Sequence, residues 1–472
     1  LPSLLETGLL ALAWPKSMRW AEHRVRWVRP MQNLVCLFDG KTVPVQYGPI
    51  KAGNYTFGHR FLVSEPIEVQ NFADYKKSLE AAYVLIDPEE RRARIKAQAK
   101  ILCKEENLMM VDDPLLLEEV AGLVEWPYAL LGSIDKKYMT LPSKVLEVSI
   151  RTHQKYISLF DKNKIAPNFI VISNTFSRES GNIVIEGNQR VLKARLSDAS
   201  FFYNNDCKKG LEFFSENLSK IVFHRDLGDM SMKVERIKLL SKQIYSDIYD
   251  SSSNSVDDAA KYCKVDLLSE TVTEFPELQG EIGSNIASLE GFNDEVVGAI
   301  RDHYSPQGPN DKCPNEPVTI SIALADKVDS LIGFFIAGER ATGSSDQFGL
   351  RRSALGIIRI IIENDLKVDI NNLFLFSVDS FISQGVGINI ENIIEEVQAF
   401  IESRLTSFLR KRGEKHDIIS SAVSSSTSAV EHATNKSAIK ISQHNGQNGN
   451  NSSIELYEYS PFLVSILTIV AS

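Results

Sequence analysis

The sequence predicts an α+β protein, with a mixed α/β region over residues 1–196 and a mainly helical region over 197–422. Three observations lead there. Short β-like runs broken by turns alternate with isolated helices before residue 196, and helix follows helix after it. Beyond residue 423 large apolar residues almost vanish, so 423–472 is expected to be a low-complexity, disordered tail. A chain of 472 residues, 43% hydrophobic and 24% charged, has the bulk of a folded globular protein.

The elements can be justified in turn. "NLVCLFDG" (33–40) and "KTVPVQYG" (41–48) predict strand–turn–strand, with Asp39-Gly40 as the turn. "FIVISN" (169–174) and "NIVIEGN" (182–188) suggest the same pattern again. Between them "DPEERRARIKAQAKILCKEEN" (87–107) predicts a helix, because Asp87 can cap it, Pro88 suits its first turn and no breaker follows. In the helical region, "VERIKLLSKQIYSDIY" (234–249) sets Ile237, Leu240, Ile244 and Ile248 on one apolar stripe. "SSSNS" (251–255) reads as a loop. "DQFGLRRSALGIIRIIIE" (346–363) predicts a helix capped by Asp346, its stripe formed by Leu350, Ala354, Ile357, Ile358, Ile361 and Ile362. Two more helices are expected near 370–383 and 390–412.

Charge and cysteines narrow the function. A net charge of −9 argues against wholesale coating of nucleic acid, though a local basic patch is compatible with it. Cys36, Cys103, Cys207, Cys263 and Cys313 are odd in number and widely spaced, which predicts a reducing, cytoplasmic setting rather than a disulfide framework. The apolar run "PFLVSILTIVA" (461–471) is too short to span a bilayer, so no membrane role is expected. The first residue is Leu rather than Met, and the chain is expected to be a fragment or to begin inside a longer protein.

Three segments carry candidate chemistry. "WPKSMRWAEHRVRWVRP" (14–30) interleaves Lys16, Arg19, Arg24, Arg26 and Arg29 with Trp14, Trp20 and Trp27, against one acid, Glu22. Arginines supply phosphate contacts and indoles stack on unpaired bases; the alternative is a strand with tryptophans in the core and arginines in solvent. "TFGHRFL" (56–62) places His59 and Arg60 after a glycine, either as a loop gripping a phosphate or as a turn whose histidine satisfies nearby backbone. "ATGSSDQFGLRR" (341–352) leads into a helix N-terminus, which attracts anions. On that helix Arg352 and Arg359 are expected to stack opposite the apolar stripe with Arg351 beside them, as a ridge for phosphate or an acidic partner or simply as a solvated face.

A helical metal-dependent phosphohydrolase of the HD type is the rival enzyme reading. It needs a histidine, a His-Asp pair and a later aspartate converging on metal. The only His-Asp step is His416-Asp417, while His224, Asp226, His303, Asp326 and Asp329 are scattered. No metal site is therefore expected. "FPELQGEIG" (275–283) reads as a structural corner, because Pro276 turns Phe275 out of helical geometry and Gly280 and Gly283 permit a tight turn.

Together these motifs resemble a known family, the β subunit of the bacterial heterotetrameric glycyl-tRNA synthetase. The likeness runs from about residue 14 to about 422 through "PKSMRW", "TFGHRFL", "GNQRVLKARLSDASFF" (187–202) and "CKVDLLSETVTEFPELQGEIG" (263–283). "HYSP" (303–306), "ALADKVDSLIGFF" (323–335) and "ATGSSDQFGLRRSALGIIRI" (341–360) continue it in order. The resemblance implies an α/β region followed by an HD-like helical region without a working metal site. It implies tRNA(Gly) binding and an α2β2 assembly in which a separate α subunit activates glycine with ATP and Mg. No catalytic residue and no cofactor are then expected on this chain. Relative to the family the chain is truncated at both ends, with the Ser/Asn-rich tail where an anticodon-binding domain belongs. Ala341 and Gln347 stand where the family usually has proline. An inactive remnant of the β subunit is the further alternative.

Overall fold

A computed structural model describes residues 1–20, 22–175, 178–342, 345–386 and 393–413. His416-Asp417, the Ser/Asn-rich tail and the run 461–471 lie outside the described residues. The fold is α+β, as the sequence predicts, and packing divides it into two units, Leu1–Ser200 and one that begins at Phe201.

In the first unit the helix Pro88–Glu105 forms for the predicted reason, since the Asp87 carboxylate accepts from Glu89 N. With the helix Pro114–Leu123 it covers a four-stranded antiparallel sheet, in the order Met109–Met110, Ile157–Asp161, Lys164–Ser173 and Tyr128–Ser133. Ile95, Ala99, Leu116, Val120, Ala129, Leu159 and Ile170 meet in the core between them. Asp39-Gly40 makes the predicted turn, pairing Phe38 with Lys41 while both turn residues hold positive φ. "NIVIEGN" is not a strand. It lies in the helical segment Arg178–Glu216, which breaks at Gly210 (φ +76), and Leu192, Leu196 and Ala199 are buried there at helical spacing. A helix nucleated there extends backward at little cost, which outweighs the β preference of Ile183 and Val184.

The second unit is built around the helix Pro317–Ile336, which is buried on nearly every side. Helices Met230–Tyr249, Asn254–Tyr262, Asp294–Asp302, Leu350–Glu363, Ile370–Ser383 and Ile393–Lys411 pack against it. The expected stripes hold in the main: Ile237, Leu240 and Ile244 are buried, as are Leu350, Ala354, Ile357, Ile358 and Ile361, while Ile248 and Ile362 are half-buried. Two boundaries move. "SSSNS" is partly helix, because Ser253 caps a helix starting at Asn254. The 346–363 helix begins at Leu350 after Gly349, and the Asp346 carboxylate reaches forward to accept from Leu350 N (2.8 Å) and Arg351 N (3.0 Å).

The 275–283 corner is structural. The helix Glu270–Glu274 ends at a wholly buried Phe275, a turn of 3₁₀ helix follows, and Glu281–Leu289 is helical. Gly280 has φ +83 and does turn the chain, but Gly283 sits inside the helix. Both donate their N–H to Asp266 Oδ2, at 2.6 and 3.0 Å.

Candidate functional site

The basic N-terminal segment folds as a minimal hairpin, β1 (Met18–Arg19) and β2 (Arg26–Trp27), with Met18 opposite Trp27 and Arg19 opposite Arg26. Trp27 lies edge-on to Trp14 (4.9 Å) and to Tyr47 (5.5 Å), and Trp20 is 6.5 Å from Tyr47. Tyr47 is buried, and its hydroxyl donates to Arg26 O at 2.8 Å. Lys16, Arg19, Arg24 and Arg26 are all exposed, whereas Trp20 is half-buried. The aromatic rings thus hold the hairpin together while its cations face solvent.

The glycine-histidine turn is organised differently. His59 is wholly buried; its N–H donates to Ala82 O at 2.9 Å, and its Nδ1 accepts from Phe61 N at 3.3 Å. Its Nδ1 therefore serves the local backbone, while its buried Nε2 has no hydrogen-bond partner among the described residues. Arg60 beside it is exposed, 5.6 Å from the Phe61 ring centre.

The expected arginine ridge on Leu350–Glu363 does not form. Arg352 is exposed and Arg351 half-buried, but Arg359 is only 6% exposed. Its guanidinium donates to Glu363 Oε1 (2.7 Å), Gly308 O (2.8 Å) and Asp311 O (2.6 Å). The Gly308 and Asp311 carbonyls therefore cover Arg359, and it does not join Arg352 at the surface. The anion site expected at its N-terminus is filled from within by Asp346.

The strongest concentration of charge is internal. Asp326 and Asp329 lie three residues apart on the central helix and face Lys233 and Arg236, also three apart, on Met230–Tyr249. Lys233 Nζ is 3.0 Å from Asp326 Oδ1 and 2.9 Å from Asp329 Oδ2. Arg236 Nε donates to Asp329 Oδ1 at 2.6 Å, its Nη1 to Gln384 at 2.7 Å, and it stacks 4.0 Å from the Phe381 ring centre. Lys264 Nζ donates to Asp326 Oδ2 at 2.7 Å and lies 3.8 Å from the Tyr304 ring centre. Asp326 Oδ1, although close to Lys233, accepts no hydrogen bond in good geometry.

The ionisation of these groups follows from their setting. Burial raises the Asp326 carboxyl, but Lys233 and Lys264 more than reverse this and hold it well below the usual range. Burial lowers the Lys233 ammonium, and Asp326 and Asp329 outweigh that and raise it. Burial, reinforced by Lys264, drives His303 well below its ordinary value and keeps it neutral. Burial also lowers Lys327 to about 8, where its ammonium donates to the carbonyls of His303, Tyr304 and Ser305. His303, Asp326 and Asp329 thus share one region with Lys233, Arg236 and Lys264. His224 instead packs edge-on against Phe334 and Phe348. Among the described residues no group of three His, Cys, Asp or Glu side chains is arranged to hold a metal ion.

Asp266 responds to pH in the opposite sense from Asp326. Burial raises its carboxyl from 3.8 to about 6, against the Gly283 and Gly280 N–H groups that favour the charged form. Because the folded value is the higher one, its contribution is complete below the unfolded value and is lost as pH rises through about 6. The loss amounts to about 3 kcal/mol. Urea midpoints are therefore expected to fall between pH 4 and 6, and Asp266→Asn to flatten that slope. An unchanged slope in the variant would assign the titration elsewhere.

Residues 1–424 match the family described as glycyl-tRNA synthetase beta subunit. The chain belongs to that family. The match includes residues before the "PKSMRW" motif, so the likeness begins earlier than the motifs alone suggest. The glycine–tRNA ligase beta subunit of Rhodospirillum centenum is 41% identical over 449 residues, covering 89% of this chain and 62% of that protein. The one from Rickettsia bellii is 44% identical over 384 residues, covering 81% and 57%. That of Phenylobacterium zucineum is 41% identical over 421 residues, covering 88% and 60%. The chain thus spans about three-fifths of the length of these aminoacyl-tRNA synthetase subunits. Among the described residues no helix is long and apolar enough to cross a membrane.

Proposed function

We propose that this chain is the tRNA-binding, assembly-supporting β subunit of a cytoplasmic glycine–tRNA ligase. The ligase joins glycine to tRNA(Gly) with ATP, releasing AMP and diphosphate. Glycine activation, with ATP and Mg, takes place on a separate α subunit of an α2β2 assembly, and this chain supplies RNA contact and scaffolding. Family membership supports this reaction. The observation that supports this reading over the metal-dependent phosphohydrolase is the neutralisation of Asp326 and Asp329 by Lys233, Arg236 and Lys264. A metal-dependent phosphohydrolase needs carboxylates open to a cation, and these already hold the protein's own.

Co-expression with the α subunit of the same genome, followed by a glycine-charging assay, tests the reading. The chain alone is expected to form neither glycyl-adenylate nor glycyl-tRNA, and charging is expected only with the α subunit present. Failure to co-purify with that subunit would favour an inactive remnant. Phosphatase activity with stoichiometric transition metal, lost in Asp326→Asn, would favour the rival enzyme.

A further inference from the structure

We infer that the β1–β2 hairpin is a phosphate clamp, in which Arg19 and Arg26 grip the backbone of an RNA without reading its bases. The inference rests on the tRNA-binding reading and narrows it to one hairpin and one kind of contact.

Arg19 and Arg26 are direct partners across the ladder, so their side chains leave the same face of the ribbon. Like charges set opposite one another weaken a strand pair, and this ladder is only two residues long. Nothing acidic relieves the repulsion: Lys16, Arg19, Arg24, Arg26 and Arg29 make no ion pair among the described residues. An anion seated between the two guanidinium groups turns that repulsion into attraction. Arg26 is already aimed, its Nε donating to Ser17 Oγ (3.1 Å) and its Nη2 to Ser17 O (3.3 Å). Nη1 remains open, and a guanidinium held in place loses less freedom when it binds a phosphate.

The tryptophans decide between backbone and base. Stacking needs an open ring face. Trp27 has Trp14 and Tyr47 against it and Trp20 leans toward Tyr47, so Trp20 and Trp27 are half-buried, while Trp14, 38% exposed, meets Trp27 edge-on. The polar groups left exposed are mainly the cations. The alternative anion is an acidic protein surface, but the cores of protein interfaces are poor in charge, and here five cations face one acid, Glu22, between residues 14 and 30. A polyphosphate backbone suits that density better.

The test is the salt dependence of RNA binding by the full chain, using tRNA(Gly) and an unrelated RNA hairpin. In Arg19→Gln/Arg26→Gln the slope of log affinity against log salt is expected to become shallower by roughly 1.4 to 1.8, equally on both RNAs. Arg19→Gln alone, which removes no hydrogen bond within the described protein, is expected to give about half of that. Arg19→Lys/Arg26→Lys should keep most of the slope. So should Lys162→Gln/Lys164→Gln, which makes the same charge change at an exposed turn. An unchanged slope in the glutamine variants with binding retained would overturn the clamp and leave the tRNA-binding reading standing. So would an equal loss in the lysine control, a loss on tRNA alone, or lost α-subunit co-purification with RNA binding intact. If the parent chain bound neither RNA, the clamp and the reading would both fall.

Discussion

Asp329→Ala is expected to cost the helical unit about 3–5 kcal/mol, among the largest effects of any single substitution in the chain. Asp329 is wholly buried, and both of its oxygens are engaged by Arg236 and Lys233. Arg236 is itself only 1% exposed, so removing the carboxylate strands a guanidinium that water cannot reach. Lys233 keeps Asp326, but that carboxylate is then shared between two ammonium groups with less negative charge to balance them. The measurement is urea denaturation of the parent, Asp329→Ala, Arg236→Met and the double variant. The double variant is expected to lose less than the sum of the singles, because it removes a charge of each sign together. A loss below about 1 kcal/mol in Asp329→Ala would show that the two cations find water or other partners.

The same residues show what the sequence could and could not reveal. Local rules fixed the Pro88–Glu105 helix through Asp87, the Asp39-Gly40 turn and the apolar stripe after Leu350, since each depends on neighbours within a few positions. The network was half visible. Asp326 and Asp329 are identifiable in the sequence as candidate acids, but their partners lie more than sixty positions away. The usable signal is a matching interval of three, Lys233 to Arg236 on an amphipathic helix and Asp326 to Asp329 on a strongly apolar one. Arg359 misled for the complementary reason. A helical wheel shows which side carries arginine but not that the Gly308 and Asp311 carbonyls cover Arg359. The facing of Arg19 and Arg26 was hidden too, because a two-residue ladder takes its register from tertiary contacts such as Tyr47.

Gly280→Ala is expected to cost roughly 3 kcal/mol, through strain and collision acting together. The residue holds φ +83 and ψ −43, a conformation L side chains rarely adopt. A Cβ there would come 2.8 Å from Arg301 O and 3.2 Å from Ile300 O, both backbone atoms at the end of the Asp294–Asp302 helix. Those carbonyls have little room to retreat, since Ile300 O also holds His303 Nδ1 at 2.8 Å. Moving Gly280 instead would pull its N–H from Asp266 Oδ2, leaving that buried carboxylate with the Gly283 N–H. Gly291→Ala separates the two causes, because Gly291 has φ +87 with nothing within 4 Å of its would-be Cβ. It is expected to cost about 1 kcal/mol, from strain alone. Equal losses at the two positions would remove the contact with the Asp294–Asp302 helix from the account. A clear excess at Gly280 in urea titrations at pH 7 would place the corner's rigidity in its contact with that helix and Asp266.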